Sequence, residues 1–257
     1  MTRVLVISAH PDDESGFGGG LLAKYAEEGH EVYIVETTRG EGGEVGEPPV
    51  GPKSRLGEFR EQEMRCAAAA LGARELRFLG FVDPSIEIGE PPKPIEVSLE
   101  EFASAIARQI DELRPDVILT HGSNGEYGHP QHVYTHRAVR EALRRLAPWY
   151  PGLLLTWCAN GGVNAADRIT NRDDRADFVL DVSPWLEKKV AAMECHRSQH
   201  AMFLRNSKAP RVRDMVRRIE AYRRWSREEW LATEALATPE EASTDWRVPG
   251  TRQPRGR

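Results

Sequence analysis

Short, continuous apolar runs alternate with longer stretches of helical period along most of this chain. Runs of strand length fall at residues 4–8, 31–36, 75–79, 117–120, 153–157 and 178–181. Several are unbroken aliphatic blocks, such as Val4-Leu5-Val6-Ile7 and Val117-Ile118-Leu119, the pattern of strands covered on both faces. Between them, residues 18–28, 57–71, 99–113, 131–146 and 185–200 repeat their apolar positions with helical period. This succession predicts an α/β fold: a Rossmann-like, doubly wound, mostly parallel sheet with helices on both faces, built from right-handed βαβ units.

Two segments interrupt the alternation. Residues 37–55 are rich in Gly, Pro and Glu, and residues 83–94 in Pro and acids. Connections of that length inside a compact domain are lids, binding loops or mobile links. Residues 214–236, dense in Arg, Glu and Trp, read as a charged C-terminal helix lying on the domain or against a second copy, which leaves a homo-oligomer open. Residues 1–238 are expected to form one domain, and the polar remainder, 239–257, a flexible tail.

Composition narrows the class without choosing a function. Of 257 residues 40% are hydrophobic and 29% charged, with a net charge of -5 and both signs mixed along the chain. That balance suits a soluble globular protein and gives no basic footprint for nucleic acid. No run approaches the roughly 18 apolar residues of a membrane span, and the first apolar block is too short for a signal-peptide core. The expectation is a cytoplasmic protein with neither membrane nor nucleic-acid partners. Cys66, Cys158 and Cys195 are odd in number and far apart, so they are expected to be buried small hydrophobes rather than disulfide partners.

Chemistry concentrates at two strand ends. His10-Pro11-Asp12-Asp13-Glu14 follows the first strand directly, and in open α/β sheets the carboxyl ends of the strands form the ligand crevice. One acid would suffice to cap the next helix. Three successive acids beside a histidine repel one another unless a cation or protons offset them, which favours a metal. After the fourth strand comes His121-Gly122-Ser123-Asn124-Gly125-Glu126-Tyr127-Gly128-His129-Pro130-Gln131-His132. Pro130 suits the first helical position, which sets His129 at the cap and His132 three residues on, on the same face. Together the clusters offer two imidazoles and a carboxylate to a divalent ion with a position left for water, the pattern of catalytic zinc. Such an ion polarises a carbonyl and lowers the pKa of water to about 7. A spare carboxylate can then accept a proton, and a spare histidine can stabilise an oxyanion or protonate a departing amine. Spacing alone does not choose between Asp12 and Asp13 as ligand.

These motifs resemble the His-Pro-Asp-Asp-Glu and His-Pro-Asp-His motifs of the PIG-L/LmbE-like metal-dependent deacetylases, a family that includes N-acetylglucosaminyl-phosphatidylinositol deacetylase and enzymes of mycothiol and bacillithiol pathways. The similarity covers nearly all of the regular part of the chain. It implies Zn2+, or another divalent transition metal, held by His10, Asp13 and His132, with Asp12 as general base and His129 as oxyanion stabiliser or acid. It also implies substrate contacts. Arg60, in Arg60-x-x-Glu63, resembles an arginine that touches sugar hydroxyls; Asp83 resembles an acid used on the sugar in some members; Tyr127 matches a tyrosine near the metal in the mycothiol branch. Each has a plainer reading, as a surface helix residue, a turn cap and a packing aromatic respectively. Thr38-Arg39-Gly40-Glu41 is similar to the family's loop after the second strand, and His196-Arg197-Ser198-Gln199 to a late helix end without an assigned role. Gln131 departs from the family's usual Asp. A neutral amide cannot hold a nearby His129 imidazolium by charge, although it can orient a ring by hydrogen bonding.

The function implied is hydrolysis of an N-acyl group, N-acetyl foremost, from an amino sugar or related small glycoside by metal-activated water. The alternatives are an amidase acting on a thiol conjugate of the mycothiol type and a metal-binding member without catalysis. Non-haem Fe(II) oxygenases also use two histidines and a carboxylate, but they leave Asp12 and His129 without a task. Gly16-Phe17-Gly18-Gly19-Gly20 is not a dinucleotide turn, because the acids before it would repel a pyrophosphate.

Overall fold

The computed structural model describes residues 1–85, 92–161 and 171–232. Its first apolar block forms β1 (Arg3–Ser8), and alternate side chains of that strand enter two separate cores. Val4 and Val6 join Leu22, Ile34, Met64, Leu119 and Trp157 on one face; Leu5 and Ile7 join Val35, Phe102, Ile106, Ile118 and Val139 on the other. A strand covered on both faces has no polar side to present, which is why the sequence shows a continuous run instead of alternation.

The chain continues through α1 (Asp13–Glu27), β2 (Glu31–Thr38), α2 (Leu56–Leu71), β3 (Glu75–Phe81), α3 (Leu99–Leu113), β4 (Val117–Thr120), the single turn α4 (Gly125–Gly128), α5 (Pro130–Leu146) and β5 (Leu153–Trp157). There follow β6 (Ala159–Asn160), β7 (Asn171–Arg175), β8 (Phe178–Asp181), α6 (Leu186–Cys195), α7 (His200–Ser207), α8 (Val212–Met215), β9 (Ile219–Trp225) and α9 (Arg227–Leu231). The main sheet has the order β3-β2-β1-β4-β5-β9-β8. Strands β3 to β5 in that order are parallel, while β9 runs antiparallel to both β5 and β8. The expected doubly wound α/β sheet is therefore observed. Residues of α1, α2 and α6 fill one core and residues of α3, α5 and α9 the other.

β1 pairs with β2 on one side and β4 on the other, so the chain reverses its direction of winding between β1 and β4. This switch point is where open α/β sheets bind ligands. The glycines after the first strand lie within α1 and permit close packing: a Cβ on Gly20 would stand 2.4 Å from Val182 Cβ. They build no phosphate loop.

Three expectations are corrected. Residues 219–225, read as part of a C-terminal helix, form β9, in which Glu220, Tyr222 and Trp225 are buried. Glu220 is tolerable there because Lys189 Nζ lies 2.7 Å away and the Gly20 and Leu21 amides donate to it at 2.8 and 2.9 Å, compensation that local patterning cannot reveal. The helix expected over residues 185–200 ends at Cys195, and a 3-10 turn leads into α7. Finally, Cys66 and Cys195 form a disulfide, their Cα atoms 5.8 Å apart. Only Cys158 is the buried free cysteine expected. The two partners are separated by 129 residues and meet because α2 packs on α6. The expected tail, residues 239–257, lies outside the described residues.

Candidate metal centre

Between the end of β1 and the start of α1 only residues 9–12 make the turn. Asp12 takes φ 122°, a backbone region that L-residues avoid at a cost of about 1–3 kcal/mol and that persists where surrounding contacts impose it. Here the Gly16 N–H donates to Asp12 O at 2.9 Å, and the Asp12 N–H donates to Glu14 Oε2 at 3.0 Å. Asp12 and Asp13 consequently make different contacts. The Asp13 carboxylate accepts the His10 N–H at 2.9 Å, whereas Asp12 Oδ2 accepts from Arg60 Nη2 at 3.0 Å. Glu14, the third acid, accepts from Asp12 and Ser15.

His10, Asp13 and His132 converge. His10 Nδ1 stands 3.3 Å from Asp13 Oδ2, His132 Nε2 stands 3.4 Å from Asp13 Oδ1, and the two ring nitrogens are 3.3 Å apart. Ligand atoms on a tetrahedron with bonds of about 2.0–2.1 Å are separated by about 3.3–3.4 Å. The two histidines meet different Asp13 oxygens, and one ligand atom from each of the three residues lies within 4.8 Å of the others, close enough to share an ion. Electrostatics agree with a cation there. Although burial opposes it, the histidines around Asp13 hold its carboxyl well below the usual carboxylate range. Burial likewise lowers the pKa of His10, but the bond to Asp13 and the charges of Asp83 and Asp13 raise it to about 9. His132, by contrast, is lowered by burial, so it is His10 beside Asp13 and Asp83 that favours positive charge.

Two residues without an assigned role stand behind the cluster. His121 Nε2 accepts the Ala9 N–H at 2.9 Å, so its hydrogen lies on Nδ1, 3.1 Å from Glu126 Oε2. The same oxygen is 2.6 Å from His132 Nδ1, while Glu126 Oε1 accepts from the Gly122 amide at 2.7 Å and from Trp157 Nε1 at 3.1 Å. His121, Glu126 and His132 also lie within metal-ligand range of one another, but this hydrogen bonding explains their approach. Glu126 anchors the Nδ1–H of His132 and leaves its Nε2 facing His10 and Asp13. Its φ of 63° shows the turn bent to bring it there. The sequence signal was a carboxylate six residues before a candidate ligand histidine in the crevice loop.

Burial alone would raise the Glu126 carboxyl, but His121 and His132 hold it down to about 2. Because the folded value lies below the unfolded one, this stabilisation is fully present above roughly pH 4.5 and is lost as pH falls toward 2. Glu126→Gln should therefore destabilise metal-free protein at neutral pH by about 1.5–3 kcal/mol, the scale of losing a hydrogen bond to a charged group. The deficit should shrink on acidification. Urea unfolding of both proteins from pH 7 to pH 3 tests this, and a deficit independent of pH would refute the assignment.

The remaining sequence-selected residues surround the cluster in unequal ways. His129 stacks on His132 with ring centroids 4.3 Å apart; burial, with His132 and His10 beside it, keeps its pKa well below the ordinary histidine value. Tyr127 packs edge-on to His129 and His132 at 5.8 and 5.7 Å. Arg60 is only 3% exposed, and its guanidinium is engaged by Asp12, Pro11 O and Gly40 O. Asp83 is also buried, accepting from the Gly42 amide at 3.0 Å and from Gln131 Nε2 at 2.6 Å. Gln131 does not engage His129 as expected: its Oε1 is 2.8 Å from His10 Nε2. His196 is buried near α1, with Nε2 3.2 Å from Ser15 Oγ.

Residues 5–143 match the family described as PIG-L, GlcNAc-PI de-N-acetylase. The chain is 34% identical over 227 residues to the 1D-myo-inositol 2-acetamido-2-deoxy-alpha-D-glucopyranoside deacetylase of Mycobacterium sp. (strain KMS), a match that covers 77% of this chain and 74% of that protein. Among solved structures it is similar to N,N'-diacetylchitobiose deacetylase from Pyrococcus horikoshii, with TM-score 0.62, 20% identity, and coverage of 87% of this chain and 84% of the other. It is also similar to the 4-carboxy-2-hydroxymuconate hydratase of Pseudomonas putida, with TM-score 0.61, 22% identity, and coverage of 92% and 100%. At those identities the structural matches speak for the fold alone.

Proposed function

The chain belongs to the PIG-L (GlcNAc-PI de-N-acetylase) family, and from that membership we propose that it is a zinc-dependent N-deacetylase that releases acetate from an N-acetylglucosaminyl glycoside. The observation that carries this reading is the convergence of His10 Nδ1, the Asp13 carboxylate and His132 Nε2, whose nearest approaches are 3.3–3.4 Å, beside a separate carboxylate, Asp12. In the proposal His10, Asp13 and His132 hold the ion. When bound, the ion supplies Lewis-acid polarisation of the amide carbonyl and makes water more acidic.

The rest of the chemistry belongs to the chain. Burial pushes the Asp12 carboxyl up to about 7 against the pull of Arg60, which suits a group that must take a proton near neutral pH. Asp12 accepts the proton of the attacking water, a C–O bond forms at the carbonyl carbon, the C–N bond breaks, and the proton passes to the departing nitrogen. His129 arrives as a neutral ring and can offer an N–H to the oxygen as negative charge develops. We assign Arg60 to holding Asp12 in place. Tyr127 and Asp83 stand beside the site as candidate walls for the sugar.

Acetate release should be measured on a panel of N-acetylated sugars, including the 1D-myo-inositol 2-acetamido-2-deoxy-alpha-D-glucopyranoside on which the mycobacterial relative is named to act. Release that stops on chelation and returns with Zn2+ is the expected result. Turnover confined to mycothiol-type thiol conjugates would replace the sugar reading, and no amide hydrolysis from metal-loaded protein would overturn it. The same proposal places the enzyme in the cytoplasm.

A further inference from the structure

Gln131 has no part in the proposed proton transfers, yet it is 3% exposed and its side-chain amide bridges His10, Asp83 and the Lys93 carbonyl. In His10 the atom facing Asp13 and His132 is Nδ1. An imidazole coordinating through Nδ1 must carry its single hydrogen on Nε2, and that atom is 2.8 Å from Gln131 Oε1. The Gln131 amide cannot reverse without loss, because its NH2 donates to Asp83 Oδ1 at 2.6 Å and to Lys93 O at 3.0 Å, two acceptors. Asp83 is fixed in turn: the Gly42 N–H donates to its Oδ2 at 3.0 Å, and its own N–H donates to Glu41 Oε2 at 3.2 Å.

We infer that Gln131 and Asp83 form a relay, Asp83 carboxylate to Gln131 amide to His10 Nε2–H, which fixes the tautomer and angle of His10 and presents Nδ1 for coordination. Gln131 is a positioning residue, and the inference rests on the ligand set proposed above. The relay also accounts for an amide at this position. A carboxylate there could accept from His10, but it would have no hydrogen to give Asp83 and would set two negative groups at hydrogen-bonding distance. Asp83 Oδ1 is 3.9 Å from His10 Nε2, beyond a direct hydrogen bond, so the amide is the link between them.

The test reads zinc affinity rather than turnover. Zinc is competed from the protein with a chromophoric chelator in wild type, Gln131→Leu, Asp83→Ala and the double variant. Gln131→Leu should weaken binding by about 10-fold or more, within the 10–100-fold range typical of partners behind metal ligands. The loss caused by Asp83→Ala should shrink by at least half in the Gln131→Leu background, where no amide transmits it. In 15N-histidine NMR of zinc-loaded wild type, His10 should show its hydrogen on Nε2, and that hydrogen should exchange with water faster in Gln131→Leu. Gln131→Met, closer in shape, repeats the experiment if the leucine variant loses its cooperative urea transition. Equal zinc affinity in wild type and variant, additive losses, or unchanged Nε2–H exchange would overturn the relay. Wild type that binds no zinc would instead overturn the metal site itself.

Discussion

Replacing His132 with alanine is expected to strip the protein of most of its metal, from about one divalent ion per chain to a small fraction after dialysis. His132 is the only one of the three proposed ligands from α5, and its two nitrogens face different tasks: Nε2 lies 3.3 Å from His10 Nδ1, and Nδ1 lies 2.6 Å from Glu126. The substitution removes a ligand and also takes one hydrogen-bond donor from a carboxylate that is 1% exposed. The loss of affinity should therefore exceed the roughly 10–100-fold cost of losing an outer partner. Elemental analysis of dialysed protein measures it, with His10→Ala and Asp13→Ala alongside and circular dichroism to confirm the fold. Full occupancy in all three variants would place the metal elsewhere.

Much of this candidate site is legible in the sequence, for a physical reason. A metal centre at a switch point draws its ligands from the connections after two adjacent strands, and both connections carry their chemistry in contiguous residues: His10 to Asp13 after β1, and His129 to His132 beyond β4 at the start of α5. Buried parallel strands announce themselves as apolar runs, so β1 to β5 and their intervening helices were legible as well. What escaped depended on contacts distant in sequence. β9 hides behind its Arg and Glu residues because Glu220 is neutralised by Lys189 from α6. The Cys66–Cys195 bond joins helices that only the packed fold brings together. Gln131 was assigned to the neighbouring His129 on proximity in the motif, whereas α5 directs its amide to His10 across 121 residues. Glu126 stood in the crevice loop in plain view, but its role depends on His121 being turned by the Ala9 amide.

Asp12→Asn should separate the base from the ligands: metal content close to wild type, with the catalytic constant lowered by about 10²-fold or more, the usual scale for losing general acid–base assistance. The geometry makes this a clean substitution. Asp12 Oδ2 is tied to Arg60 Nη2 at 3.0 Å rather than to the His10–Asp13–His132 cluster, and an asparagine oxygen can still accept that bond. Arg60 also keeps Pro11 O and Gly40 O, so the strained turn at residue 12 retains its support. What asparagine cannot do is take a proton from water near neutral pH. The loss should therefore fall on kcat, with little change in KM, since an interaction made only as the reaction proceeds contributes nothing to ground-state binding. Metal analysis and steady-state kinetics on the same preparation decide the matter. Loss of the metal in Asp12→Asn together with its retention in Asp13→Asn would exchange the two roles. Full activity in metal-replete Asp12→Asn would remove Asp12 from catalysis and leave the proton to another group in the site.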